Sequence, residues 1–385
     1  MSESENSVQK LKIVHVVRQF APAIGGLENF VAQLAMRQAA TGHDVRVVTL
    51  DRVFAQENMK KLSATENYFG VEVVRIPFVG STRYPIAPKV KELVNNFDII
   101  HVHSVDFFCD YLASIKYSHK TPMVLSTHGG FFHTKFARVL KNLFFNIVTR
   151  RTLWSFETVL ACSENDAAKF KQIAAKKVQL IENPVDIEKF AGMANRQSKQ
   201  IIYFGRFSTN KRIENLLTWF RDLRVSDPSW CLCITGREMD VTRHELGSHA
   251  IRLGVDEHVR IVASPTDEEL KALIGESSAF CSSSAYEGFG MAAIEAASAG
   301  LFPVLSDIPP HRAHVEALGF GLIVDFEEEA KRRGSIAAFL DGIATFHRNM
   351  SLPKVMQAVQ PYSWERASEK FERAYQAALS GAKCL

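Results

Sequence analysis

Two carboxylates and two glycines stand close together in Glu287-Gly288-Phe289-Gly290 and, further along, Glu295. Paired glycines let backbone N–H groups approach a ligand where a helix begins, and such a helix start attracts phosphate. Glu287 stands before a helix expected from about Phe289, and Glu295 lies about two turns along it, up to ~12 Å away. Carboxylates accept hydrogen bonds from hydroxyls. A nucleotide sugar has the matching form, with sugar hydroxyls at one end, a diphosphate in the middle and ribose hydroxyls at the other. The plainer alternative is that Glu287 caps the helix and Glu295 is a solvated helix residue. The small apolar neighbours of Glu295 in MAAIEAASAG argue against it, because they leave no obvious solvated face.

A second group of charges lies in IIYFGRFSTNKRIENLL, where Arg206 and Lys211 flank a strand-to-helix loop. Two cations and a helix N-terminus there converge on one point, for which phosphate is the natural ligand. Near the N-terminus, Pro22, Gly25, Gly26 and Glu28 follow the strand Lys12 to Val17 and open a helix. The dinucleotide fingerprint G-x-G-x-x-G is absent from that loop, which weakens an oxidoreductase reading. Glu28 reads alternatively as a helix-start acid favoured by the macrodipole. His128 directly follows the strand Met123 to Thr127, at a strand end of the kind where ligands of open α/β sheets gather. His101 and His103 alternate along IIHVHS and share a face, but no third metal ligand stands nearby in sequence, so no metal site is expected.

These residues need a scaffold that brings strand ends together. Ala279 to Ser282 and Phe302 to Leu305 frame the glutamate loop as a β-α-β unit. Further strands are expected at Asp44 to Leu50, Val71 to Ile76, Asp98 to His103, Thr158 to Cys162, Gln200 to Phe204, Trp230 to Thr235, Val259 to Val262 and Gly321 to Val324. Helix-length segments separate most of them, which is the pattern of parallel sheets covered by helices on both faces. A chain of 385 residues is long for one core, and about two domains are expected. The polar stretch Met193 to Lys199 marks the change. The expected division is a disordered segment 1–10, a first domain 11–190, a second domain 191–362 and a terminal amphipathic helix within 363–385.

The net charge of +4 is too small to imply nucleic acid. No stretch approaches the ~20 apolar residues of a membrane span, and the first ten residues carry no apolar leader. The six cysteines form no C-x-x-C pair and read as reduced thiols. From Lys116 to Phe156 there is no acidic residue, while Lys135, Arg138, Lys141, Arg150 and Arg151 mingle with Phe144, Phe145 and other aromatics. Such a surface suits the headgroup layer of an anionic membrane, with Tyr84 to Val94 adding to it. A core-facing helix with a solvated basic back is the alternative.

E-G-F-G-x-x-x-x-E-A, followed by Ala299-Gly300 and a Pro-containing strand, resembles the E-x7-E signature of glycosyltransferase family 4, retaining enzymes of the GT-B fold. P-x-x-G-G-x-E at residues 22–28, His128, N-P-V-D at 183–186 and G-R-x-x-x-x-K at 205–211 resemble further points of that family. The resemblance implies two Rossmann-like domains whose parallel sheets face an interdomain cleft, with the last helix crossing back to the first domain. It implies that Arg206 and Lys211, with the N–H groups near Phe289 and Gly290, bind the donor diphosphate. Glu287 would hold the sugar, Glu295 the ribose, and His128 would orient or stabilise the reacting sugar. Gly25, Gly26 and Gly288 would face the donor, and no cofactor or metal would be required.

The run of the sequence is most similar to mannosyltransferases of xanthan- and acetan-type exopolysaccharide assembly, which use GDP-mannose and extend a cellobiose carried on polyprenyl diphosphate. That implies work at the cytoplasmic face of the inner membrane. A UDP-sugar donor with another acceptor would keep every motif, and a non-catalytic nucleotide- or membrane-binding scaffold would keep the fold.

Overall fold

The computed structural model describes residues 10–54, 60–82, 84–128 and 143–382. Two compact units result: Met1–Glu182 with Ala367–Leu385, and Asn183–Arg366. The divisions therefore fall after Glu182 and Arg366, where residues 190 and 362 were expected. The segment expected to be disordered lies, except for Lys10, outside the described residues.

The first unit is built on β1 (Lys12–Val16), β2 (Asp44–Leu50), β3 (Thr65–Tyr68), β4 (Val71–Ile76), β7 (Ile99–His103), β8 (Met123–Ser126), β9 (Thr158–Ala161) and β10 (Val178–Leu180), with a small hairpin of β5 (Val79–Ser81) and β6 (Tyr84–Ile86). The strand order is β10-β9-β8-β7-β1-β2-β4-β3, parallel except for the β3–β4 pair. Runs such as IVHV and IIHVH are buried along their length because helices cover both faces of a parallel sheet. The sequence order reverses between β1 and β7, where the chain runs outward in both directions. That is the switch point at which a crevice opens beyond the strand ends.

Two helices matter most to the site of this unit. Gly26–Ala40 turns Phe30, Val31, Leu34, Ala35 and Gln38 inward at helical spacing. Trp364–Ala382 buries Ala367, Phe371, Ala374, Tyr375 and Ala378 on one stripe, and from Ala367 onward it belongs to this unit.

The second unit carries β11 (Gln200–Phe204), β12 (Cys231–Gly236), β13 (Val259–Ala263), β14 (Ala279–Ser282), β15 (Phe302–Ser306) and β16 (Leu322–Val324), ordered β13-β12-β11-β14-β15-β16 and wholly parallel. Its switch point lies between β11 and β14. The long helix Glu329–Asn349 lays Ile336, Phe339, Ile343 and Phe346 on the core, where Phe339 meets Trp219 edge-on at 5.3 Å. Asp325 Oδ1 accepts the N–H groups of Glu327 and Glu328, both at 3.1 Å, and so shapes the turn into that helix.

Candidate active site

The switch point of the second unit brings together the two loops that carry the charged motifs. Strand β11 ends at Phe204 and the chain passes through Arg206 to a tight turn, Thr209–Lys211, before the helix Ile213–Ser226. Strand β14 ends at Ser282 and leads through Glu287 to the helix Met291–Ala299. Side-chain and backbone bonds stitch the loops together. Ser283 Oγ donates to the carbonyls of Lys211 (3.1 Å) and Arg212 (2.7 Å), and Ala285 N–H donates to Asn210 O at 2.8 Å. A neighbouring crossing requires glycine: a Cβ on Gly236, after β12, would lie 1.6 Å from the carbonyl oxygen of Gly205.

Lys211 and Glu287 meet inside this frame. Lys211 Nζ lies 2.5 Å from Glu287 Oε1, which also accepts from Ser284 Oγ at 2.7 Å, and both charged side chains are largely withdrawn from solvent. A half-buried charge pair with fixed bond partners is a ready receptor for a ligand that offers an anion to the lysine and hydroxyls to the carboxylate. Arg206 stands exposed on the same loop.

The helix expected from Phe289 begins at Met291 instead, because Gly290 takes a left-handed conformation (φ +86) that interrupts the first turn. Two histidines hold that entry, and neither is singled out by the sequence reading. His314 Nε2 donates to Phe289 O at 2.6 Å, and His311 Nδ1 lies 3.1 Å from both the carbonyl and hydroxyl oxygens of Ser306. Burial lowers the pKa of both, that of His311 to about 4. Glu295 is half-buried on the helix, and burial raises its pKa, opposed by the charge of Lys189.

In the first unit, Gly25 caps the helix Gly26–Ala40, and the Glu28 carboxylate folds back over it. His128 leaves β8 in a left-handed conformation (φ +49) and sets its ring edge-on to Phe30 at 4.7 Å. The preceding Thr127 is fixed by its N–H on Leu160 O (3.0 Å) and its hydroxyl on Asp166, so the chain turns sharply at His128.

His128 is the end of a buried row. Its Nε2 is bonded to His103 Nδ1 (3.0 Å), and His103 Nε2 to His15 Nδ1 (2.9 Å). His15 Nε2 donates to Gln38 Oε1 (2.7 Å), and Gln38 Nε2 donates to the Tyr375 hydroxyl (3.0 Å). Tyr375 is bonded to His101 Nδ1 (2.7 Å), whose Nε2 meets Ser126 Oγ (2.8 Å). Burial lowers the pKa of His15 to about 4 and of His128 to about 3, and holds His101 and His103 well below the usual range. No third ligand stands near His101 and His103 in sequence, but the sheet brings one beside them in space, because His15 aligns with His101 on the adjacent strand. The three rings present ligand atoms within 4.8 Å of one another. All six of their ring nitrogens are nevertheless engaged in the hydrogen bonds just described.

Phe145, expected on a membrane-facing surface, is instead a core residue, packed edge-on against Phe170 at 5.2 Å. Its spacing with Thr149, Thr152, Leu153 and Phe156 forms the buried stripe, while Leu143, Ile147, Val148, Arg150, Arg151 and Trp154 are exposed and Phe144 is half-buried. In the stretch Tyr84 to Val94, Ala87, Val90 and Val94 are likewise buried, leaving Tyr84 and Ile86 outside. Lys135, Arg138 and Lys141 lie outside the described residues.

Two parallel-sheet units with ligand loops at their switch points are the architecture of GT-B proteins. Sucrose-phosphate synthase from Thermosynechococcus elongatus aligns with a TM-score of 0.71 over 97% of this chain and 100% of that chain, at 17% identity, a likeness of fold. Glycosyltransferase Family 4 matches residues 24–189, and Glycosyl transferases group 1 matches residues 185–348. The GDP-mannose:cellobiosyl-diphosphopolyprenol alpha-mannosyltransferase of Xanthomonas oryzae pv. oryzae is 40% identical, over 96% of this chain and 97% of its own length. That of Komagataeibacter xylinus is 36% identical, over 99% and 97%. The chain belongs to glycosyltransferase family 4 and is a glycosyltransferase of the GT-B fold.

Proposed function

We propose that this enzyme transfers mannose from GDP-mannose to a polyprenyl-diphosphate-linked oligosaccharide in exopolysaccharide synthesis, with retention at the sugar carbon. The near full-length identity to relatives named for that reaction carries the substrate assignment. The charged loops of the second unit support it chemically. Lys211, Arg206 and the N–H groups at the start of the helix Met291–Ala299 neutralise the departing diphosphate, Glu287 holds sugar hydroxyls and Glu295 the ribose. Gly25, Gly26, Gly288, Phe289 and Gly290 let backbone approach the donor, and His128 orients the sugar. The positive charge a divalent ion would bring is supplied by side chains and helix N–H groups, so turnover needs no metal.

Calorimetric titration with GDP and with UDP, both in chelator, tests the assignment. Tighter binding of GDP is expected. Preferential UDP binding would discard mannose as the donor sugar, and GDP binding that appears only when a divalent ion is restored would discard metal independence.

The acceptor is borne by lipid on this reading, and the enzyme works against the cytoplasmic face of the inner membrane. No described helix is long and apolar enough to cross a membrane. The exposed set Leu143, Ile147, Val148 and Trp154 beside Arg150 and Arg151 supports docking on an anionic surface, Trp154 being 67% exposed. Trp154→Asp is expected to reduce co-sedimentation with phosphatidylglycerol vesicles at least several-fold while leaving GDP binding intact. Unchanged co-sedimentation would remove this face from the membrane contact.

A further inference from the structure

Each imidazole in the row from His101 to His128 is neutral near pH 7, since burial disfavours the cation in all four histidines. A neutral imidazole carries one N–H and one lone pair, so a bond at one nitrogen dictates what the other can do. The amide oxygen of Gln38 can only accept, and it faces His15 Nε2, which must therefore hold the proton. His15 Nδ1 is then a lone pair and takes the Nε2–H of His103. His103 Nδ1 is in turn a lone pair and takes the Nε2–H of His128. The Nδ1 of His128 is left as an acceptor, with no partner among the described residues.

The other half of the row is consistent with that orientation of the amide. Gln38 Nε2 donates to the Tyr375 hydroxyl, whose own hydrogen then goes to His101 Nδ1, and His101 Nε2–H goes to Ser126 Oγ. Every donor meets an acceptor. Turning the Gln38 amide over would reverse every bond and leave His128 with an N–H at Nδ1. One amide thus decides what a ring three bonds away offers.

We propose that Gln38 is a positioning residue that, through His15 and His103, holds His128 in the Nε2–H tautomer, so that its Nδ1 accepts a hydrogen bond from a hydroxyl of the bound sugar. The alternative use of His15, His101 and His103 as a metal site would require the lone pairs that the row already employs. The effect on turnover rests on the glycosyltransferase reading, whereas the tautomer does not.

The test is 15N NMR of the full chain labelled at histidine, which distinguishes protonated from unprotonated ring nitrogens, with His128 assigned by loss of its signals in His128→Gln. Wild type is expected to show His128 protonated at Nε2. Gln38→Met, which keeps the side-chain length and removes the acceptor, is expected to give mixed tautomers at His128 and turnover lower by at least about ten-fold with KM for the donor nearly unchanged. If Gln38→Met does not fold, Gln38→Asn, whose shorter amide falls short of His15, serves the same comparison.

His128 protonated at Nδ1 in wild type, or an unaltered His128 tautomer in the folded Gln38 variant, would overturn the proposal. So would one equivalent of metal in the purified protein that chelator removes with a change in the His15, His101 and His103 signals. Failure of GDP to bind, with the tautomers as expected, would instead count against the mannosyltransferase reading alone.

Discussion

Lys211→Ala is expected to lower turnover at least about ten-fold in a protein that still folds and still binds GDP. Developing charge on a departing diphosphate is stabilised most by a cation fixed in advance, and Lys211 is fixed by its 2.5 Å contact with Glu287. The substitution also leaves a largely buried carboxylate with only Ser284 as its side-chain partner among the bonds described above. Some loss of stability follows, because an uncompensated buried charge is costly. Lys211→Arg separates the two effects, since it keeps the charge on Glu287 but changes where it is presented. Measured kcat for the folded alanine variant within about two-fold of wild type would remove Lys211 from the chemistry.

Much of that pair was legible in the sequence, and the reason is local. A loop that could hold phosphate places glycines, cations and a helix start within a few residues, so Gly288, Gly290, Arg206 and Lys211 stand out by spacing as the contacts proposed above. Parallel strands betray themselves too, because burial on both faces demands continuous apolar runs such as those of β1, β7 and β11. The spacing could not show that Lys211 and Glu287 pair with each other. That depends on β11 lying beside β14, a register set by the whole second sheet.

The buried row was not legible for the same reason. His15 in KIVHVV is an ordinary strand residue until β1 is laid beside β7, which aligns it with His101. Tyr375 stands 274 residues from its partner His101 and reaches it only because the last helix returns to the first unit. Composition misled at Phe145, since a basic and aromatic stretch fits a membrane face or a core stripe equally well. Only the period 145, 149, 152 and 156 decides which side is buried.

Acid should destabilise the first unit below about pH 6.5, and the sign follows from the same histidines. Unfolded histidine titrates near 6.5, while burial holds His15 at about 4 and His128 at about 3, with His101 and His103 well below the ordinary value. Between these limits the unfolded chain binds more protons, so stability is complete above about 6.5 and falls as pH drops toward the folded-state values. Each such group removes up to about 1.4 kcal/mol per pH unit. Glu372, whose pKa is lowered chiefly by its bond with His43, acts in the same direction at lower pH.

Asp106 opposes them. Burial raises its pKa to about 7, so the folded state takes up that proton first and gains stability as pH falls from about 7 toward the usual carboxylate range. Burial raises Asp110 and Glu182 as well, and they side with Asp106, while burial lowers His119, which sides with the row. Three carboxyls against five imidazoles still leave a net loss, which is large beside a typical stability of about 5–15 kcal/mol. Thermal melts should therefore show a Tm that is flat from pH 7.5 to 6.5 and declines steeply from 6.0 to 5.0. In a folded His103→Asn variant the Tm should start lower and decline less steeply, because one proton-binding difference has been removed. A wild-type Tm that stays level down to pH 5.0 would mean the imidazoles are protonated or solvated in the native state, and the neutral hydrogen-bonded row would have to be abandoned.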